Sequence, residues 1–218
     1  MRRAGLVARA ALRAGPVVVS AAGPVDTSAA GAGPGRDAEP GRNPVLAAIR
    51  SRRVVRAMTG EPLARATLEA ILDAVRWAPT AGNRHLQRFV ASDDPGTLRA
   101  LRMVSPGMLQ RPAAVVAVCV DRDLAADYGF APDARSLSVD VGTATATLLL
   151  AAHALGVGSG PVTSFSRVAA AAVLDVPSGW TVELVVCLGH PAPVEPGRLG
   201  RGRVTWRDLT VWAPRDAG

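Results

Sequence analysis

The chain lacks most of the features that would announce a function directly. It has two cysteines in 218 residues, Cys119 and Cys187, and both fall inside apolar runs. That is too few for a disulfide framework or a thiolate metal centre, so buried structural thiols are expected. The three histidines, His85, His153 and His190, are scattered with no metal-binding spacing, and no metal site is expected. No nucleophile elbow or Ser/His/Asp order appears, so hydrolysis by a nucleophilic side chain has no support. Aromatic residues make up 4%, which leaves the core to Ala, Val and Leu. No apolar run reaches the length of about 18 residues needed to suggest a membrane span. There is no internal repeat.

Lysine is also missing: all 25 basic residues are arginine, against 18 acidic ones, for a net charge of +7. A pI near 11.1 raises nucleic acid as a partner. However, the arginines are spread along the chain, and anion binding at one site explains the surplus equally well, so no nucleic-acid partner is expected. Residues 1–42 are rich in Ala, Gly, Pro and Arg. Arg9 and Arg13 interrupt what would otherwise be a signal-peptide core, and the stretch reads as a disordered tail. A cytoplasmic location is expected, with a single domain over residues 43–218.

Within that domain, Asn43-Pro44 starts a helix, and Val45, Leu46, Ile49 and Val54 are spaced for one helical face. Leu63 to Trp77 is the strongest helix, with Leu68, Ile71, Leu72 and Val75 in register and Pro79 ending it. Arg88 to Ser92 reads as a short strand. Asp94-Pro95 opens a helix to about Met103. The continuous apolar runs Ala113–Val120 and Thr181–Leu188 read as strands buried on both faces. Asp121 to Arg135 reads as a loop or lid carrying Tyr128 and Phe130. Ser136 to Leu155 is a long apolar helix, Gly156 to Pro161 a glycine-rich turn, and Val204 to Trp212 an edge strand. Ser164 or Ser166 caps a short helix between them. The order of elements gives an α+β fold, a small mixed sheet flanked by helices.

Three stretches are candidates for chemistry. Arg52 and Arg56, four apart, share a face if helical, and with Arg53 they form a cation cluster suited to a phosphate. A solvated basic helix end is the blander reading of the same residues. The turn Ala78-Pro79-Thr80-Ala81-Gly82-Asn83 keeps a hydroxyl and an amide free for a flat heterocycle, or simply stops a helix. Gly156 to Phe165 lacks the Lys-Ser/Thr ending of a P-loop and follows a helix rather than a strand, so neither nucleotide fingerprint applies. It still offers backbone N–H groups beside a helix start.

These blocks, in this order, resemble the FMN-dependent nitroreductase family. That family opens with an Arg-Arg-Ser-x-Arg-like motif and continues with an Ala-Pro-Ser-x-x-Asn-x-Gln-Pro-like turn. The resemblance spans roughly residues 43–212, including the block Leu188-Gly-His-Pro191. It implies a domain-entwined homodimer with two FMN sites, each built from both subunits, and NAD(P)H as electron donor to a small-molecule acceptor. Arg52, Arg53 and Arg56 match the motif that holds the phosphate and ribityl chain, with Val54 where the family has serine. Pro79, Thr80, Ala81 and Asn83 match the turn that reaches the flavin from the other subunit. His85 stands where the family has Gln, and Leu86 where it has Pro. Pro161, Val162, Thr163 and Ser164 match the loop whose backbone N–H faces flavin N5. Arg201 and Arg203 resemble a late basic pair that closes on the phosphate. The implied reaction is hydride transfer from NAD(P)H through the flavin to a nitroaromatic, quinone or similar acceptor, by a ping-pong mechanism in one shared pocket, with no catalytic side chain required. The alternatives are a specialised dehydrogenase or flavin-consuming enzyme of the same fold, and a flavin-storing protein without turnover.

Overall fold

The computed structural model describes residues 43–193 and 204–213. Helix α1 (Pro44–Ser51) begins at the Asn43-Pro44 signal but ends before the arginines. Val54 and the basic cluster therefore lie in extended chain beyond the helix and not on its face, as the spacing had suggested. Helix α2 (Arg65–Val75) buries Leu68, Ile71 and Val75, with Leu72 half-buried. A 3₁₀ turn (Ala81–Asn83) leads into β1 (Gln87–Ser92). Helix α3 (Pro95–Met103) is capped by Asp94, whose carboxylate accepts the Thr97 N–H at 2.7 Å. That bond holds the Asp94 carboxyl below its ordinary range.

Strand β2 (Ala114–Asp121) is followed directly by helix α4 (Arg122–Asp127). Part of the expected lid is thus helical: the Asp121 carboxylate caps it by accepting the Leu124 N–H at 3.0 Å. The Arg122 guanidinium ties it to β4 (Trp180–Gly189) through Glu183 at 2.7 Å. Helix α5 (Arg135–Ala154) precedes β3 (Gly158–Val162), and α6 (Arg167–Val173) is capped by Ser166. The stretch 156–161, expected to be a turn, is therefore mostly strand. Where an edge strand was expected, the chain forms the short helix α7 (Trp206–Leu209). A capping box fixes it: Asp208 accepts the Thr205 N–H at 2.7 Å.

The four strands form one sheet in the order β1-β2-β4-β3. Every described pairing is antiparallel, where a mixed sheet was expected. Alternate residues of β2 feed two cores. Val116, Val118 and Val120 pack with Ile71 and Val75 of α2 and Leu148 of α5. Val115, Ala117 and Cys119 pack with Leu98 and Leu101 of α3 and Ala170 of α6. This explains the unbroken apolar run: a strand covered on both faces needs no polar alternation. By length and composition α5 also qualifies as a membrane span. Here its stripe Leu137, Val141, Ala144, Leu148 and Ala152 lies in the core beneath the sheet.

Cys119 and Cys187 are free and fully buried on the α3/α6 face. Burial pushes each thiol up to about 12, aided at Cys119 by the charge of Glu183. Iodoacetamide at pH 8 should leave the native protein unlabelled and modify both thiols once guanidinium chloride unfolds it. With folded values near 12 and unfolded values near 8.5, the thiols' contribution to stability is complete below about pH 8.5. It is lost as pH rises towards 12, because the unfolded chain gives up its protons first. Rapid labelling of the folded protein would contradict this burial.

Candidate functional site

The basic segment and the glycine-rich stretch meet. Beyond α1 the chain lies extended against the outer edge of β3: the Val55 N–H donates to the Ser159 carbonyl at 2.9 Å. It continues to a bridge between Met58 and Pro191, with the Thr59 N–H donating to His190 at 3.0 Å. The glycines permit this approach. A Cβ on Gly158 would meet Val55 at 2.9 Å, and one on Gly160 would meet the Val55 carbonyl at 2.8 Å and collide with the Gln110 amide. Gly158 and Gly160 are there because a second strand-like segment lies on them, while Gly156 turns the chain out of α5 with a φ of 72°.

The three arginines differ. Arg53 folds back and donates to the carbonyls of Arg50 and Arg52 at 2.6 and 2.8 Å, closing the C-terminus of α1. Arg56 is exposed, and Val54 is partly so. Arg52 is half-buried, and its Nη1 is shielded from solvent with no hydrogen-bond partner. A buried guanidinium nitrogen without an acceptor is costly and suits an anion. Ser51 pins the start of the segment, its Oγ lying 2.8 Å from His153 Nε2 on α5.

At the other end of β3, Thr163 and Ser164 are exposed, and among the described residues their N–H groups have no backbone acceptor. Pro161 is half-buried and Val162 buried. The loop before β2 holds this end: the Gly107 N–H donates to Ser164 at 2.9 Å, and the Ser166 N–H to Val104 at 2.9 Å. A Cβ on Gly107 would meet that of Ser164 at 2.9 Å, so this contact also needs glycine.

The 79–85 turn sits elsewhere. Asp140 of α5 is 4% exposed, and both its carboxylate oxygens accept the Ala81 N–H, at 3.0 and 3.1 Å. Thr143 donates to the Pro79 carbonyl at 3.0 Å, and Thr80 accepts the His85 N–H at 3.2 Å. This clamp holds three residues in left-handed backbone: Gly82, Asn83 and His85, with φ of 58°, 54° and 50°. Asn83 and His85 are left exposed. Burial raises the Asp140 carboxyl above its ordinary range, opposed by the Ala81 hydrogen bond and the charge of His85. Arg84 lies over the Tyr128 ring at 4.5 Å, so Tyr128 stands beside the turn, while Phe130 packs into the core.

Asp140 and His153 are thirteen positions apart on α5. That separates the turn from the basic segment by about 20 Å along the axis, on largely opposite sides of the helix. One chain therefore lays the segment after Arg52 on the start of β3, whose far end leads to Thr163 and Ser164, and fastens Pro79, Thr80, Ala81 and Asn83 to the opposite end of α5. Arg201 and Arg203 lie outside the described residues. Asp140, Thr143, Ser51 and Gly107 were not picked out from the sequence. Only Asp140 left a signal, a carboxylate inside an Ala/Leu helix.

Comparison with known proteins places the chain. The nitroreductase family model matches residues 49–110 and 104–190, and the chain belongs to that family of oxidoreductases. A Rhodopseudomonas palustris (strain TIE-1) protein, provisionally named NADH dehydrogenase/NAD(P)H nitroreductase, is 32% identical over 157 residues, covering 63% of this chain and 80% of that one. A 5,6-dimethylbenzimidazole synthase of Rhodospirillum rubrum is 31% identical over 184 residues, covering 68% and 84%. An FMN-dependent nitroreductase of Clostridium difficile R20291 shares the fold, with a TM-score of 0.58 at 20% identity, covering 68% and 88%.

Replacing Asp140 with Ala leaves the Ala81 N–H without its acceptor and should cost about 1–3 kcal/mol in urea unfolding. It should also speed amide exchange across the turn. Asp140→Asn keeps an acceptor and should cost less. Its stability should also lose one pH dependence: a carboxyl raised in the folded state favours folding below its unfolded value and loses that contribution as pH rises through its folded one. Wild-type exchange rates in Asp140→Ala would show that the clamp does not hold the turn.

Proposed function

We propose that this chain is an FMN-dependent oxidoreductase carrying reducing equivalents from NAD(P)H to an electron-poor acceptor such as a nitroaromatic or a quinone. The observation that carries this reading is the buried Arg52 nitrogen without a partner. It lies on a segment bonded to β3, whose far end presents the open N–H groups of Thr163 and Ser164. From Ser159 to Thr163 is about 13 Å of extended chain. The arrangement suits an elongated ligand with an anion at one end and an electron-accepting ring at the other. FMN fits that description, and a relative in fold is named FMN-dependent.

When bound, FMN would supply the hydride and electron chemistry. The residues of the chain have simpler tasks. Arg52 and the exposed Arg56 would hold the phosphate, while Arg53 is occupied at the end of α1. Thr163 and Ser164 would donate backbone hydrogen bonds to the ring without any titrating group. Pro79, Thr80, Ala81, Asn83 and His85 would come from a second copy, because in their own chain they sit at the other end of α5. Arg201 and Arg203 keep their assignment from the sequence as a pair closing on the phosphate.

A homodimer also accounts for the apolar surface. Helix α1 buries nothing, leaving Val45 and Ile49 exposed. Val139 on α5 and Val204, Trp206, Leu209, Val211 and Trp212 near the C-terminus are exposed as well. A second copy packed on these residues would take them out of water. The flavin role is assigned to residues 43–218 and none to residues 1–42. Two reduced, buried thiols suit the cytoplasm.

The purified protein should show a flavin visible spectrum that bleaches anaerobically with NADPH or NADH. Steady-state rates with an acceptor should give parallel double-reciprocal lines. Arg52→Ala should weaken FMN roughly ten- to a hundredfold and riboflavin, which has no phosphate, much less. Equal losses for both ligands would assign Arg52 to the fold. Flavin that neither nucleotide bleaches would favour the specialised chemistry suggested by the relation to a synthase.

A further inference from the structure

A second concavity lies apart from every residue assigned above. It is a cavity of about 410 Å³ where the loop before α2, one face of α3 and the entry to β2 converge. That volume is within the range of small-molecule sites. Its floor is apolar, made by Leu63, Leu98 and Ala113, all buried. Its rim carries Arg99 and Arg102, three apart and so on one face of α3, with Arg111 from the loop before β2.

The charges on this rim are unbalanced. The guanidinium groups of Arg102 and Arg111 make no hydrogen bond or ion pair among the described residues. The Arg99 guanidinium acts through space on Asp94 and has no hydrogen-bond or ion-pair partner among the described residues. The one carboxylate in the lining, Asp93, is engaged by Arg65 at 3.0–3.1 Å. Elsewhere, Arg76, Arg88, Arg122 and Arg167 each meet a carboxylate. The feature is therefore an apolar hollow with an uncompensated guanidinium rim.

We propose that this cavity is a second binding site, for a small organic anion whose apolar aryl or alkyl body rests on Leu63, Leu98 and Ala113 while its carboxylate or sulfonate meets Arg102 and Arg111. A planar anion accepts paired hydrogen bonds from guanidinium groups, which a neutral ligand of the same shape forgoes. The apolar floor selects against small inorganic anions, which gain nothing from burying it.

The test uses the full-length chain with excess FMN, titrated with 2-naphthoate by calorimetry. One naphthoate should bind per chain, and neutral 2-naphthamide should bind at least about tenfold more weakly. The double substitution Arg102→Gln/Arg111→Gln should weaken naphthoate roughly ten- to a hundredfold, with melting temperature unchanged. Either single substitution serves if the double variant does not fold. Arg52→Gln should leave naphthoate binding as it was. The proposal is overturned by any of three results: no saturable binding at millimolar naphthoate, equal binding of the amide, or binding unchanged in the arginine variants. None of these readings depends on the protein binding or using flavin.

Discussion

The site depends on a backbone contact. The extended segment carrying Arg52 can lie on β3 only because Gly158 and Gly160 leave room for Val55. The hydrogen bond from Val55 to Ser159 then fixes its register. Without that approach Arg52 would wave from the end of α1 in solvent, where an arginine is worth little. With it, one guanidinium nitrogen is sealed from water with no acceptor of its own. That unmet donor is an interaction the fold leaves for something else to complete.

Helix α5 performs the complementary task of separation. Near its start it clamps the 79–85 turn through Asp140 and Thr143, and near its end it pins Ser51 through His153. The clamp offsets the strain of left-handed Asn83 and His85. The same rigidity keeps the turn from reaching the basic segment of its own chain. The proposal that two copies share one site rests on this separation, with the two attachments on opposite sides of one helix.

Much of this was legible in the sequence. The apolar runs of β2 and β4, the face of α2 and the cap at Asp94 are local patterns, and each became the element expected. The order of the blocks was enough to identify the family. What misled was whatever depended on a neighbour. Residues 156–161 look like a turn because of their glycines; Gly156 does turn the chain, but Gly158 and Gly160 serve a strand that carries another segment. Arg52 and Arg56 are spaced as on a helix, yet α1 stops at Ser51 and Arg53 closes it. Residues 121–135 look like a lid, but Asp121 caps a helix inside them. The clamp on the turn was out of reach because Asp140 and Ala81 lie 59 residues apart.

The central claim is that the basic segment of one chain and the turn of another make one site. Mixing two variants with weakened FMN sites, assayed at an FMN concentration that fills the wild-type site but neither variant's, tests it most directly. Arg52→Ala and Asn83→Ala chains, unfolded and refolded together, would form mixed dimers in which one site carries both defects and the other neither. Random pairing should restore roughly a quarter of the wild-type FMN sites and of the NAD(P)H-dependent activity. If both parts of the site came from a single chain, the mixture would do no better than the two variants kept apart.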